Sequence, residues 1–385
     1  MDFVFTEEQQ MIRDTAQSFL AEVSSSEAVR KAMAADLGFD PALWQRICTE
    51  MYWQAIHIPE AQGGMGLGYV ELVAMMEQMG RTLLCAPFYS TVCLGVNTLM
   101  LGASEAQKAD LLGRICDGSL TATMAYAGAN GGRDASSVTA NYRKDGEGFV
   151  LNGECAFVVD GVSADLVIIA ARTDGSSGAE GISLFAVNAD AAGLTRENLP
   201  VLDQTRRLAK LTLYELTVAA DALLGEEGQA WPVLDKVLDL ATIALAAEQV
   251  GGSQQLLDMT VDYSKERVQF NRPIASFQAV KHKAADMMLR VEAARSAVYY
   301  AACVADEALQ GGELAGELKE AASIAKAYCS DAYFKNAGEA MQLHGGVGFT
   351  WEYDVHLYFK RAKSSEHMLG SAAYHRERLA QIVLD

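Results

Sequence analysis

Apolar residues recur at helical spacing from the first turns of the chain. Met11, Ile12, Ala16, Phe19 and Leu20 predict a helix, and Thr6 with Gln9 stands at capping-box spacing just before it. Further helices are predicted over Pro41 to Met51, Tyr69 to Met79 and Ser104 to Cys116, the last opened by a second box, Ser104 and Gln107. After Gly118 the pattern shortens. Val138 to Tyr142, Phe149 to Leu151, Leu166 to Ala171, Ile182 to Val187 and Lys210 to Val218 are β-branched or alternating runs between Gly, Asp and Asn turns. They predict a compact β domain. From Glu226 the helical period returns with Val237, Leu240, Ile243, Ala244 and Ala247, then Val291, Ala294, Val298 and Ala301, then a run from Ala321 to Glu339. The expected class is mainly α with a central β domain: helices over 1–118, strands over 119–221, a helical bundle over 222–385.

Composition narrows the function classes. Half of the 385 residues are hydrophobic, enough for two or three packed units. No apolar run reaches eighteen residues, and Met1 to Phe5 lack a basic n-region, so a soluble, cytoplasmic chain without membrane insertion is expected. The seven cysteines never fall at Cys-x-x-Cys spacing, and the six histidines never form His-Glu-x-x-His. Reduced thiols and no metal site are expected. A net charge of −19 argues against nucleic acid and requires any polyanionic ligand to find a local basic pocket.

Three stretches carry chemistry. Met341-Gln342-Leu343-His344-Gly345-Gly346-Val347-Gly348-Phe349-Thr350 places three glycines within four positions at the end of a helical run, which suits a turn or a backbone pressed against a ligand. Pro59-Glu60-Ala61-Gln62-Gly63-Gly64-Met65-Gly66-Leu67-Gly68 is a glycine loop without the strand-turn-helix frame of a dinucleotide fingerprint. Arg267-Val268-Gln269-Phe270-Asn271-Arg272-Pro273-Ile274 precedes Gln278. Together with the capped first helix and a Leu151-Asn152-Gly153 turn, in this order and over essentially the whole chain, they resemble the acyl-CoA dehydrogenases.

The resemblance implies a helical N-terminal domain, a β-barrel-like middle domain, a C-terminal four-helix bundle, and FAD as cofactor. It implies that Arg267 meets the pyrophosphate, for which a guanidinium fork is well shaped. Phe270 would pack near the adenosine and Gln278 would hydrogen-bond. Gln342, Gly345 and Gly346 would reach the ADP half of a neighbouring subunit's FAD, so an oligomer follows. The ring side departs from the family. Its usual Thr-Glu-Pro-Gly-x-Gly-Ser-Asp reads Ala125-Tyr126-Ala127-Gly128-Ala129-Asn130-Gly131-Gly132-Arg133-Asp134 here, with Ala125 for the flavin-binding Thr and two extra residues. Its Trp-Ile-Thr reads Phe157-Val158-Val159. Phe157 retains a ring that can stack, while contacts at Met124, Ala125 and Val159 fall to backbone amides. Ser371 is counted with the cofactor contacts. Asp239 matches a position near the CoA arm, and Arg133 stands where Ser is usual.

The family's reaction removes an α-proton from a CoA thioester, and this needs a carboxylate within reach. The usual Tyr-Glu-Gly-Thr reads Met368-Leu369-Gly370-Ser371, so Leu369 replaces the base. The alternative Glu-Arg of one branch aligns with Ala241 and Thr242. Glu248, seven residues on, faces nearly the same way about 10 Å further along the helix. It is the candidate base, or a structural carboxylate paired with an Arg or Lys. Glu366 is expected to be solvated. Ala244, Gly251, Gly252 and Ser253 either widen an acyl pocket or allow close helix packing. Two readings follow: a dehydrogenase forming a 2-enoyl-CoA with Glu248 as base, or a degenerate subunit completing a homologous active chain, as in heteromeric enzymes of steroid and bile-acid side-chain breakdown. Both expect an acyl-CoA substrate, an electron-transferring flavoprotein as acceptor and a homo- or heterotetramer. A nitroalkane oxidase-like activity is a third class, which Leu369 also disfavours.

Overall fold

A computed structural model describes residues 5–384; Met1 to Val4, on which the reading of the chain start partly rests, lie outside them. The helices are α1 (Glu7–Val23), α2 (Ser26–Ala34), α3 (Pro41–Arg46), α4 (Tyr69–Arg81), α5 (Asn97–Gly102) and α6 (Glu105–Cys116), followed after the strands by α7 (Trp231–Glu266), α8 (Gln278–Gln310), α9 (Leu318–His344), α10 (Val355–His367) and α11 (Ala372–Leu384). Both capping boxes form, with Thr6 accepting from Gln9 N–H and Ser104 from Gln107 N–H, and each Gln side chain returning the bond. The segment predicted over Pro41 to Met51 is α3 followed by a π-helical turn from Ile47. Among the described residues no helix is long and apolar enough to cross a membrane.

The strands are β1 (Ala122–Ala125), β2 (Asn141–Asp145), β3 (Gly148–Val159), β4 (Leu166–Thr173), β5 (Ile182–Asn188), β6 (Leu194–Asn198), β7 (Leu208–Val218) and β8 (Leu223–Leu224), with a small hairpin of β9 (Val268–Gln269) and β10 (Arg272–Pro273). The main sheet runs β6-β7-β3-β2-β4-β5-β8, with β1 parallel to β4. Tyr142, Phe149 and Phe185 meet edge-on at its centre, 5.1–5.7 Å apart. β1 and β6 escape the periodicity because Ala-Thr-Met-Ala is buried throughout and Leu-Thr-Arg-Glu-Asn is mostly exposed. Leu151-Asn152-Gly153 corrects the expectation of a turn: it runs on inside β3. There β7 carries one extra residue, and Asn152 pins it by accepting Glu215 N–H at 2.8 Å and donating to Oε1 at 2.9 Å. Gly153 takes φ +125°, a conformation that favours glycine, and a Cβ there would lie 2.9 Å from the Ala140 Cα.

The contacts define two compact units. One comprises residues 32–67 and 85–241, and so contains the β domain; the other comprises, among the described residues, 5–31, 68–84 and 242–384. The second is a bundle of long helices. Its core includes Ile243, Ala244, Ala247, Val291, Ala294, Val298 and Ala301, all at most 1% exposed. α4 and α7 touch backbone to backbone: a Cβ on Gly80 would lie 2.1 Å from the Glu248 carbonyl oxygen, and one on Gly251 1.8 Å from that of Glu77. The small residues of α7 therefore serve close packing. Asp306 of α8 caps α4 by accepting the amides of Tyr69 and Val70.

Candidate active site

The residues expected on the ADP side of the cofactor lie in the helical unit. α7 ends at Glu266, and the chain turns back through Phe270 and Asn271, both left-handed at φ +53° and +60°. Two such residues form the tight turn of the β9–β10 hairpin, where Asn is tolerated and Phe is strained. Ile274 N–H closes the loop on the Arg267 carbonyl at 2.8 Å. Arg267 is exposed, Phe270 is 86% exposed, and Gln278 opens α8 at the surface. Tyr263 stacks on His344 at 4.4 Å and donates to its carbonyl at 3.3 Å, joining the end of α7 to the end of α9. Gln342 is exposed there, and a Cβ on Gly345 or Gly346 would meet nothing within 4 Å. These glycines are therefore not required for packing within the chain.

The residues expected around the flavin ring lie together in the β domain. Met124 and Ala125 end β1; Phe157 and Val159 end β3. Thr123 Oγ1 donates to the Val159 carbonyl at 2.6 Å, and Ala156 N–H to Ala127 at 2.8 Å. Met124, Ala125 and Val159 are buried, whereas Phe157 is 51% exposed. It occupies a bulge between Cys155 and Val158 and is left-handed at φ +57°. Such a conformation costs a bulky residue about 1–3 kcal/mol and clusters at functional positions.

Leu369 is left-handed too, at φ +57°. His375 meets its carbonyl oxygen at 2.9 Å, and Lys326 Nζ donates to the carbonyls of Glu366 and Gly370, both at 3.0 Å, and to Ser330 Oγ at 2.8 Å. Lys326 is fully buried, and burial pushes its pKa down to about 7. Ser371 caps α11, its Oγ accepting Tyr374 N–H at 3.3 Å. Glu248 forms a buried ion pair with Arg361 at 2.7 Å, and Glu366 pairs with Lys363 at 2.8 Å rather than standing alone in solvent. Arg133 is 2% exposed and pairs with Asp235, at 3.2 Å, and with Asp239. Sequence reasoning missed Lys326 and His375; a lone Lys in the apolar stretch Ile324-Ala325-Lys326-Ala327 was the available signal.

Three family models match the chain in order: acyl-CoA dehydrogenase, N-terminal domain, over residues 6–119; middle domain over 123–206; C-terminal domain over 228–384. The chain belongs to the acyl-CoA dehydrogenase family. It is 32% identical over 377 residues to acyl-CoA dehydrogenase IpdE2 of Mycolicibacterium smegmatis, covering 98% of each chain. Butyryl-CoA dehydrogenase of Megasphaera elsdenii superposes with a TM-score of 0.91 at 28% identity, covering both chains completely. A chain of the ChsE4-ChsE5 complex of Mycobacterium tuberculosis superposes with a TM-score of 0.89 at 27% identity, covering 100% of this chain and 99% of that one.

The protein is accordingly an FAD-dependent oxidoreductase of acyl-CoA. Its acyl-CoA dehydrogenase frame fits the cofactor. An exposed guanidinium, an outward aromatic ring and two glycines facing open space suit a diphosphate and an adenosine. A half-exposed Phe157 suits stacking on a flat ring. FAD, when bound, supplies the hydride acceptor.

Proposed function

We propose that this chain is the supporting subunit of an FAD-dependent acyl-CoA dehydrogenase whose catalytic carboxylate is carried by a homologous chain. The observation that carries this reading is the Leu369 turn. The backbone there is strained and is clamped by Lys326 and His375, while the side chain is a hydrocarbon that cannot take a proton. Glu248, the candidate base, is engaged by Arg361, and the nearby Glu366 by Lys363. Arg133, standing where the family has a small hydroxyl, fills its position with a buried guanidinium bound to Asp235 and Asp239. Arg267, Gln342, Gly345 and Gly346 remain exposed and available to a shared FAD site. Likeness to a chain of the ChsE4-ChsE5 complex supports a heteromeric assembly. The reaction is α,β-dehydrogenation of an acyl-CoA to the 2-enoyl-CoA, with an electron-transferring flavoprotein as acceptor.

The test is to purify the chain alone and with a co-expressed homologous chain, and to measure flavin per chain and turnover. The expected result is turnover only in the mixed complex, with fewer flavins than chains. The paired change Glu248→Gln with Arg361→Met should leave kcat of that complex within about twofold. A yellow, active homo-oligomer that loses activity in this double variant while staying folded would sink the proposal and make Glu248 the base.

A further inference from the structure

Loop 127–134 joins the ring side of the β domain to α7 through one side chain. Arg133 donates to Asp235 at 3.2 Å and to Asp239, which stand four residues apart on one face of α7. All three are at most 9% exposed. Asp239 Oδ1 and Asp235 Oδ1 take the two Nη groups, and the buried Nε–H has no partner. Each of these charges has lost its water, so breaking the pairing would strand a buried charge and is costly.

The loop behind it is built to follow that anchor. Gly131 and Gly132 take φ +65° and +114°, conformations that side-chain-bearing residues rarely adopt. A Cβ on Gly131 would lie 3.5 Å from the ring of Phe157, and one on Gly132 2.3 Å from Ser137 Oγ. The loop therefore passes close under the ring that the β3 bulge turns outward. We infer that Arg133 is a positioning residue: by latching the glycine loop to Asp235 and Asp239 it holds Gly131 beneath Phe157 and keeps that ring in its left-handed, half-exposed pose. The latch stands on the geometry of the loop and the first turns of α7, and only the clause that Phe157 faces flavin rests on the function proposed above.

Arg133→Met alone takes the shared guanidinium away from two buried carboxylates and endangers folding. The informative variant is therefore Arg133→Met with Asp235→Asn and Asp239→Asn, which removes all three charges together. Amide hydrogen exchange is measured on the protein in the assembly in which it purifies. At least tenfold faster exchange over both 128–134 and 156–159 is expected, with the rest of the β domain unchanged. Faster exchange confined to 128–134, or none, overturns the inference. In FAD-loaded protein the same variant is expected to lower the induced visible circular dichroism of the flavin at least twofold, as Phe157→Ala does. A change in Phe157→Ala without one in the triple variant also overturns it. No change in either variant removes Phe157 from the flavin contacts, and the exchange result then decides the latch by itself.

Discussion

Glu248 of α7 and Arg361 of α10 form an ion pair 2.7 Å apart inside the helical unit, with neither side chain more than 7% exposed. Removing one partner strands a buried charge, whereas removing both together does not. Arg361→Met should therefore cost roughly 3–5 kcal/mol, and adding Glu248→Gln should recover most of it. Urea melts of the two single variants and the double variant check this; additive losses would show that the pair is not coupled.

Lys326 holds the Leu369 turn while burial depresses its pKa to about 7. The sign of the linkage follows. Between about 7 and the ordinary 10.5 the unfolded chain binds a proton that the folded chain does not, so this group's contribution to stability rises with pH across that window and is smallest below 7. Lys326→Met should flatten that part of the stability-versus-pH curve and increase protease sensitivity around Gly370. An unchanged slope between pH 7 and 10 would refute the assignment.

Asp306 shows the opposite trend. Burial first, then Glu71 and Glu307, raises its pKa from 3.8 to about 6 despite the amides of Tyr69 and Val70 that it accepts. The folded state keeps the proton to higher pH, so this contribution is full below 3.8 and is lost as pH rises through about 6. Asp306→Asn should remove that slope while retaining one capping acceptor. Asp306→Ala should cost about 1 kcal/mol or more through loss of the cap on α4. Thermal melts across pH 4 to 7 separate the two effects.

Gly346 has open space where a side chain would project and no left-handed φ, so Gly346→Ala should change the chain's own stability by less than about 0.5 kcal/mol. If the glycine lies against a shared FAD, the same change should lower flavin content of the assembly severalfold. Retained flavin with unchanged stability would remove Gly346 from the cofactor contacts.

The periodic segments, the two capping boxes and the ordered motifs of Arg267 and Gln342 were legible in the sequence because each is local: a few residues specify the helix, turn or cap. The same local reading identified Leu369 and Ala125 as departures. It did not see β1 and β6, whose strand character comes from pairing rather than from alternation, and it read as a turn the stretch of β3 that faces a bulge in β7. Above all, it could not decide what the charged residues do. Glu248 meets Arg361 113 residues later, and Arg133 meets Asp235 and Asp239 102 and 106 residues later. Whether a buried charge is free or paired depends on which distant segment folds against it. Sequence determined the family and the list of candidate carboxylates; only the tertiary structure decided that Glu248 and Glu366 are already engaged by cations.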